Sequence, residues 1–463
     1  MPHDIIVRYA IVGAGTAGVT AAEAIREVDP AGELLIINGE SYAPYCRPLI
    51  IEVLTGERRF DDVHLRGADW YDKRGISLIN GDPAVHLDTS DKKVVLSSGR
   101  TVMWDKLLIA AGSKPAIPPI DGIDLEGLPA FTLYRQTDVE QLRPHARPGA
   151  KALLIGIGLI GLQAMNALRE MGVDIVAIDL QSKVLPLILD AKAAKYAKKQ
   201  IEDHGIEVRL RTGVRLIRRA NGNGCPYAAM TRRGEEIPFD FTVLATGMKP
   251  DFSLINESAI DRKRGIKVNA DMETSVPGVF AAGDVTEFYD VTERRSDVHG
   301  HWVNAYRQGR IAGLRMAGET ATPYDPVYLN SLNIFGLPII TMGSSRVDRP
   351  KNAKVYLTDV PGRPAYTRFV LREGRLVAAT FVNDVHRAGV FQYLMREKID
   401  ISDVASSLFN RELGGMEWLY KHHETAVRGK VEWPATMDLI DRYKKDHSHT
   451  RWGDGEKTGD KKP

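Results

Sequence analysis

The stretch Tyr9–Gly18 reads Tyr-Ala-Ile-Val-Gly-Ala-Gly-Thr-Ala-Gly, an apolar run that stops at three glycines in GxGxxG spacing. Residues of this kind do chemistry with the backbone. Gly13 permits a tight turn, Gly15 lets a pyrophosphate approach the chain, and Gly18 lets the following helix pack close to the strand. That helix, expected over Val19–Arg26 with Ala17 and Gly18 leading into it, aims its free N–H groups at the phosphates. A second apolar strand, Leu34–Ile37, follows at crossover distance and leads to Glu40, where such a unit places the acid that holds a ribose hydroxyl pair.

The unit recurs. Ala152–Ile155 is followed by Gly156, Gly158 and Gly161, with Ile160 inside the glycine set. A helix to about Met171 comes next, then the strand Asp174–Ile178 ending in Asp179. A lone glycine set fits a surface turn equally well, but strand, glycines, helix, strand and acid appearing twice imply two bound dinucleotides. A carboxylate at Asp179 accepts two ribose hydroxyls and repels a 2′-phosphate, which favours the nucleotide lacking that group. Lys183 nearby softens the preference.

Several further strands end in small residues and complete the frame. Leu107–Ala111 runs into Gly112, Ser113, Lys114 and Pro115, and nearly the same phrase recurs at Thr242–Gly247 before Met248, Lys249 and Pro250. Such a pair ends each nucleotide-binding half or links it to the next, with small residues where the backbone passes a ligand. Val276–Asp284 is another strand closing on Gly283 and Asp284, and a helix is expected from about Trp302 to Met316, just beyond a loop carrying His299 and His301. From Tyr324 the texture changes to short alternating strands such as Ala365–Leu371 and Arg375–Val382, joined at Glu373 and Gly374. That pattern predicts an antiparallel sheet with one wet face. From Asp403 the chain turns helical and aromatic, and beyond Tyr443 it becomes a polar tail.

The 463 residues suffice for about three domains. Lys plus Arg, at 62, nearly balance Asp plus Glu, at 60, so bulk charge argues for neither nucleic acid nor an anionic membrane. Two cysteines, Cys46 and Cys225, exclude a disulfide framework and any cysteine-only zinc or iron–sulfur site within this chain. No apolar run reaches the length of a membrane span, and the expected compartment is the cytoplasm. His299 and His301 lack a third ligand at a usual metal spacing, so no metal site is expected.

Taken together, the two fingerprints, the Ala111-Gly112 and Thr246-Gly247 turns and Ala282-Gly283-Asp284 resemble the pyridine nucleotide–disulfide oxidoreductase family of glutathione-reductase-like flavoproteins. The stretch Pro44-Tyr45-Cys46-Arg47-Pro48 resembles the branch of rubredoxin and ferredoxin reductases and the flavin module of large nitrite reductases. The resemblance covers roughly Tyr9 to Asp403. It implies an α/β fold with two Rossmann-like dinucleotide-binding domains, one for FAD and one for NAD, plus a C-terminal α+β domain with an antiparallel sheet. The implied segments are 1–118 with 248–322 for FAD, 119–247 for NAD, 323–402 for the sheet domain and 403–463 for a helical extension and polar tail. FAD would be held by the first fingerprint with Glu40, Arg47, Pro48, Ala111, Gly112, Gly283 and Asp284, and NAD by the second with Ile160, Asp179 and Gly247. The helix from Trp302 would face the electron-rich end of the flavin ring.

The implied activity is NADH-dependent reduction of FAD, with electrons leaving for a redox protein or other subunits of an electron-transfer complex. Two alternatives stay open. Cys46 could carry a redox thiol, drawn toward thiolate by Arg47, for reduction of peroxide, persulfide or disulfide; or the chain could bind FAD and NAD without turnover. Paired redox cysteines are absent, which excludes a dithiol relay. Where some ferredoxin reductases carry Lys and Glu, this chain has Glu52 and Gln163. Residues 403–463 hold Phe409, Leu413, Met416, Trp418, Leu419, Tyr420 and Trp433, apolar surface expected to dock a partner, with closure of a homodimer or packing back on the sheet as the alternatives.

Overall fold

The computed structural model describes residues 4–220, 224–290, 295–298, 300–325, 329–343, 352–359, 364–410 and 418. Met1–Ile399 and Asp400–Pro463 form separate compact units. In the first, the Tyr9 run becomes strand β1 (Ile5–Val12) and the helix after the glycines is α1 (Thr16–Val28), longer than expected at both ends; β2 (Leu34–Asn38) returns parallel to β1, with Tyr9 opposite Leu34. Tyr9, Ala10 and Ile11 are wholly buried, as a strand covered on both faces requires. Ile76–Asn80 extends this parallel sheet beyond β2, and Thr101–Ile109 flanks β1 on its other side. That long strand serves two partners. Its first residues pair antiparallel with Lys93–Leu96, and its last receive Val279–Ala281 in parallel register.

The second fingerprint builds β3 (Lys151–Ile155), α2 (Leu159–Glu170) and β4 (Asp174–Asp179) in the same order. Here the parallel sheet runs Glu207–Leu210, β4, β3, Phe241–Leu244, Ala130–Phe131. The two small-residue phrases meet as neighbours, because Ser113–Pro115 and Met248–Pro250 pair antiparallel.

Helix α3 (Trp302–Met316) lies along α1. A Cβ on Gly309 would stand 2.2 Å from the Ala17 carbonyl oxygen and one on Gly313 2.3 Å from that of Ala21, so the two helices touch backbone to backbone.

The C-terminal sheet is antiparallel as expected, in the order Leu329–Ile334, Leu337–Gly343, Arg375–Val382, Tyr366–Arg372, Lys354–Asp359. It does not keep one wet face. Residues 366–371 are all buried, since helix Ala388–Arg396 covers one side, with Phe391 against Phe369 and Phe381, while helix Ala191–Asp203 covers the other. Only the edge strand Lys354–Asp359 is largely exposed among the described strands of this sheet. In the second unit, Ala405–Phe409 is a short helix whose Leu408 and Phe409 are buried, so Phe409 is not the exposed docking aromatic expected of it. Leu413, Met416, Leu419, Tyr420 and Trp433 lie outside the described residues.

Candidate functional site

The first glycine turn is cut for a close approach. Gly13 sits at φ +109°, and a Cβ there would meet the Ala110 carbonyl oxygen at 2.1 Å; one on Gly18 would meet the Gly13 carbonyl oxygen at 1.9 Å. Gly18 therefore lets α1 close on the turn itself as well as on the strand. Gly15 faces open space, with nothing within 4 Å of its Cβ position. As the N-cap of α1 it offers no side chain to the first-turn N–H groups, and no acid stands in that turn, so these donors are left for an anion. Gly156, Gly158 and Gly161 repeat the pattern: φ +104° with a 2.4 Å conflict against the Ala245 carbonyl oxygen, open space, and a 2.1 Å conflict against the Gly156 carbonyl oxygen.

A cavity of about 690 Å³ opens in front of the first turn. Gly13 and Gly15 line it from the glycine turn and Ala17 from α1, Glu40, Arg47 and Pro48 from the segment after β2, Ala111 and Gly112 from the turn after Ile109, and Gly283 and Asp284 from the turn after Ala281. These residues lie far apart in the chain, and the sheet order brings them to one wall. Ile160 lines the same cavity from α2, beside Leu159 and Gln163. The volume and the mix of apolar and polar lining suit a large organic ligand, and the open Gly15 cradle with its bared N–H groups suits a pyrophosphate. The residues therefore fit a dinucleotide.

Polar groups along the wall are held by one another. Glu40 accepts hydrogen bonds from the Arg47 guanidinium on one oxygen and from the Tyr45 hydroxyl on the other, at 2.8 Å for Tyr45. Ser113 Oγ donates to Asp284 Oδ2 at 3.2 Å, and the Gly283 N–H donates to Gln308 Oε1 at 2.8 Å. Burial pushes the Asp284 carboxyl up, against the opposing pull of Ser113, His301 and Arg47. Burial likewise pushes His301 down, with Asp284 acting the other way. His301 is the N-cap of α3 and lines the cavity together with Trp302 and Ala305, so this helix end opens on the site. His299 lies outside the described residues.

At the second glycine turn, Asp179 ends β4 and its carboxylate accepts the backbone N–H groups of Ile157 and Gln181, both at 2.8 Å. Gly247 follows Ala245 and Thr246, whose backbone packs against Gly156 of this turn, and its carbonyl accepts the Ala116 N–H at 2.9 Å.

Cys46 departs from its expected setting. Its side chain is not part of the cavity wall, and burial pushes its thiol up, with Glu52 adding to the rise and the Leu49 N–H and Trp302 opposing it. Arg47 does not draw it toward thiolate, because the guanidinium turns to Glu40, Tyr45 and Tyr134. Glu52 is paired with Arg58, away from the cavity that Gln163 reaches. Cys225 is buried. Among the described residues no cluster of His, Cys, Asp and Glu could hold a metal ion.

Sequence reasoning names Tyr45 and Ser113 only within their motifs, without a role of their own, and misses Tyr134 and the pair Gly309 and Gly313. The glycines carry a readable signal, small residues four apart on a helix, but their partner helix lies almost 300 residues earlier.

Residues 7–309 match the model of the pyridine nucleotide-disulphide oxidoreductases, and residues 329–399 match that of the rubredoxin NAD+ reductase C-terminal domain. The chain is 29% identical over 378 residues to the NADH-rubredoxin oxidoreductase of Clostridium acetobutylicum, covering 81% of this chain and 90% of that protein. It is 29% identical over 397 residues to the nitrite reductase [NAD(P)H] of Bacillus subtilis, covering 85% of this chain but only 48% of that one, so it spans about half the relative's length. The crystal structure of the Clostridium acetobutylicum NADH:rubredoxin oxidoreductase superposes with a TM-score of 0.71 at 26% identity, covering 89% of this chain and 99% of the other. With two glycine turns of one design and a cavity shaped for a dinucleotide, the chain belongs to the pyridine nucleotide-disulphide oxidoreductase family, oxidoreductases that bind FAD and NAD(H).

Proposed function

We propose that this chain is an NADH-dependent electron-delivery enzyme whose acceptor is a redox protein or other subunits of an electron-transfer complex. One observation carries the reading: a single cavity is walled both by the first glycine turn and by Leu159, Ile160 and Gln163 of the helix that follows the second. Bound FAD supplies the conversion of a two-electron donor into single-electron delivery.

The protein's residues bind and orient. Gly13, Gly15, Ala17 and Gly18 present the α1 N-terminus to the FAD pyrophosphate, Arg47 adds a fixed cation, and Glu40 takes the ribose. Pro48, Ala111 and Gly112 shape the wall, while Gly283 and Asp284 reach the ribityl chain. For NAD the roles fall to Gly156, Gly158, Ile160, Gly161, Asp179 and Gly247, with Asp179 favouring NADH. The paired strands Ser113–Pro115 and Met248–Pro250 support segment limits near 118 and 247, with residues 323–402 as the sheet domain and 403–463 as a partner-docking extension. No helix among the described residues is long and apolar enough to cross a membrane, and we place the chain in the cytoplasm.

Steady-state NADH oxidation by the FAD-loaded chain tests this, first with a one-electron dye and then with rubredoxin- and ferredoxin-type acceptors. Turnover with the dye and with at least one protein acceptor is expected. Bound FAD without NADH consumption would instead make the chain a non-catalytic subunit. Thiol chemistry at Cys46 draws no support from a side chain set off the cavity wall with its proton held more tightly than usual.

A further inference from the structure

Arg47 does not reach the cavity as a free side chain. Its Nη1 donates at 3.1 Å both to the Tyr45 hydroxyl and to the Tyr134 carbonyl oxygen, while its Nη2 pairs with Glu40. The guanidinium carbon stands 4.3 Å from the centre of the Tyr134 ring and 5.3 Å from that of Tyr45. Tyr134 is itself held. Its N–H, that of Arg135 and the Thr132 hydroxyl all donate to Oδ2 of Asp138, in the first turn of helix Gln136–Leu142. Its hydroxyl would lie 3.4 Å from a Cβ on Gly112, so the ring bridges Arg47 and the Gly112 turn and lines the cavity with both.

An arginine on a flexible stem loses much of its binding value to the entropy of ordering it, whereas one stacked and bonded in advance does not. We propose that Tyr134 is a positioning residue for the dinucleotide site: its ring and carbonyl fix the Arg47 guanidinium at the cavity wall, where that cation meets the phosphate-bearing part of FAD. The inference rests on the reading that Arg47 belongs to the FAD site. Tyr134 lies between strand Ala130–Phe131 of the second sheet and helix Gln136–Leu142, so the segment of the NAD-binding half presets a charge in the FAD-binding half.

The test is a double-mutant cycle read as the FAD dissociation constant of apoprotein, with the melting temperature of each apoprotein alongside. Tyr134→Leu removes the ring and keeps the carbonyl, and FAD affinity is expected to fall about tenfold, between the size of an exposed and of a desolvated cation–π contact. Tyr134→Phe, which keeps the ring, should stay within about twofold of wild type. In an Arg47→Ala background Tyr134→Leu should cost less than about twofold, because nothing remains to position. Equal losses for Phe and Leu, or a Leu penalty undiminished without Arg47, would overturn the positioning role. If Arg47→Ala alone leaves FAD binding unchanged, the assignment of Arg47 to the site falls and the inference with it. Should Tyr134→Leu not fold, Tyr134→Met takes its place in the cycle under the same expectations.

Discussion

Gly15→Val separates ligand binding from folding. Gly15 has φ −74° and ψ −173°, a conformation any L-residue adopts, and nothing lies within 4 Å of its Cβ position. The Cβ of a valine therefore meets no protein atom within 4 Å and points into the space in front of the turn. Gly13, three residues from the start of α1, is the opposite case, with φ +109° and a carbonyl 2.1 Å from the new atom. Blocking the Gly15 cradle removes at least two charge-assisted hydrogen bonds between an anion and backbone N–H groups, at ~1.5 kcal/mol or more each. A loss of ~3 kcal/mol weakens FAD binding about 100-fold or more. Titrating FAD into apoprotein by flavin fluorescence measures that loss, and thermal melting by circular dichroism measures folding. Gly15→Val should melt within about 3 °C of wild-type apoprotein yet fail to retain FAD, whereas Gly13→Val should melt far lower or not fold. Gly158, with φ −91° and ψ −163° and equal room, predicts that Gly158→Val keeps FAD and loses NADH reduction of it. A folded Gly15→Val that binds FAD within tenfold of wild type would refute the reasoning.

Asp179→Ala should raise KM for NADH about tenfold, the lower end for losing a charge-assisted bond, and wild type that uses NADPH equally well in flavin reduction kinetics would sink the assignment of this acid. The raised Cys46 thiol predicts a pH profile for alkylation: since burial favours the protonated form, labelling should be slow at pH 7 and keep rising beyond the ordinary thiol pKa of about 8.5. Cys46→Ser should retain most NADH-to-dye activity, and a collapse with FAD still bound would restore the thiol reading. Truncation after Asn410, which spares the buried Leu408 and Phe409, should leave FAD content and dye reduction intact while abolishing delivery to the native acceptor; flavin-free or insoluble protein would place 411–463 in the fold rather than at an interface.

Both glycine turns, their acids and the two parallel sheets are legible in the sequence, because each depends on residues a few positions apart whose spacing is set by one turn of backbone. What escapes is what depends on separate segments meeting. Ser113 reaches Asp284 across 171 positions, and the Arg47 guanidinium is shared by Tyr45 from its own loop and Tyr134 from another half of the chain. The wet face expected of the C-terminal sheet fails for the same reason: alternation in a strand cannot reveal that helix Ala191–Asp203 covers the side facing away from helix Ala388–Arg396. Adjacency in sequence points Arg47 at Cys46, but the fold sends the two neighbouring side chains to different partners.

The backbone contact between α1 and α3 makes them a parallel pair, Ala17 with Gly309 and Ala21 with Gly313. Their positive poles therefore point the same way but not to the same depth. The run from Trp302 to Gly309 carries the α3 N-terminus about 10 Å past that of α1. Neither first turn contains an acid, so neither pole is neutralised from within. The two helix ends therefore present unneutralised positive poles at two depths along one direction, so electron-rich groups about 10 Å apart on a single ligand meet both. Glycine at 309 and 313 thus fixes the stagger between the two poles, because only a residue without Cβ lets α3 lie this close to α1.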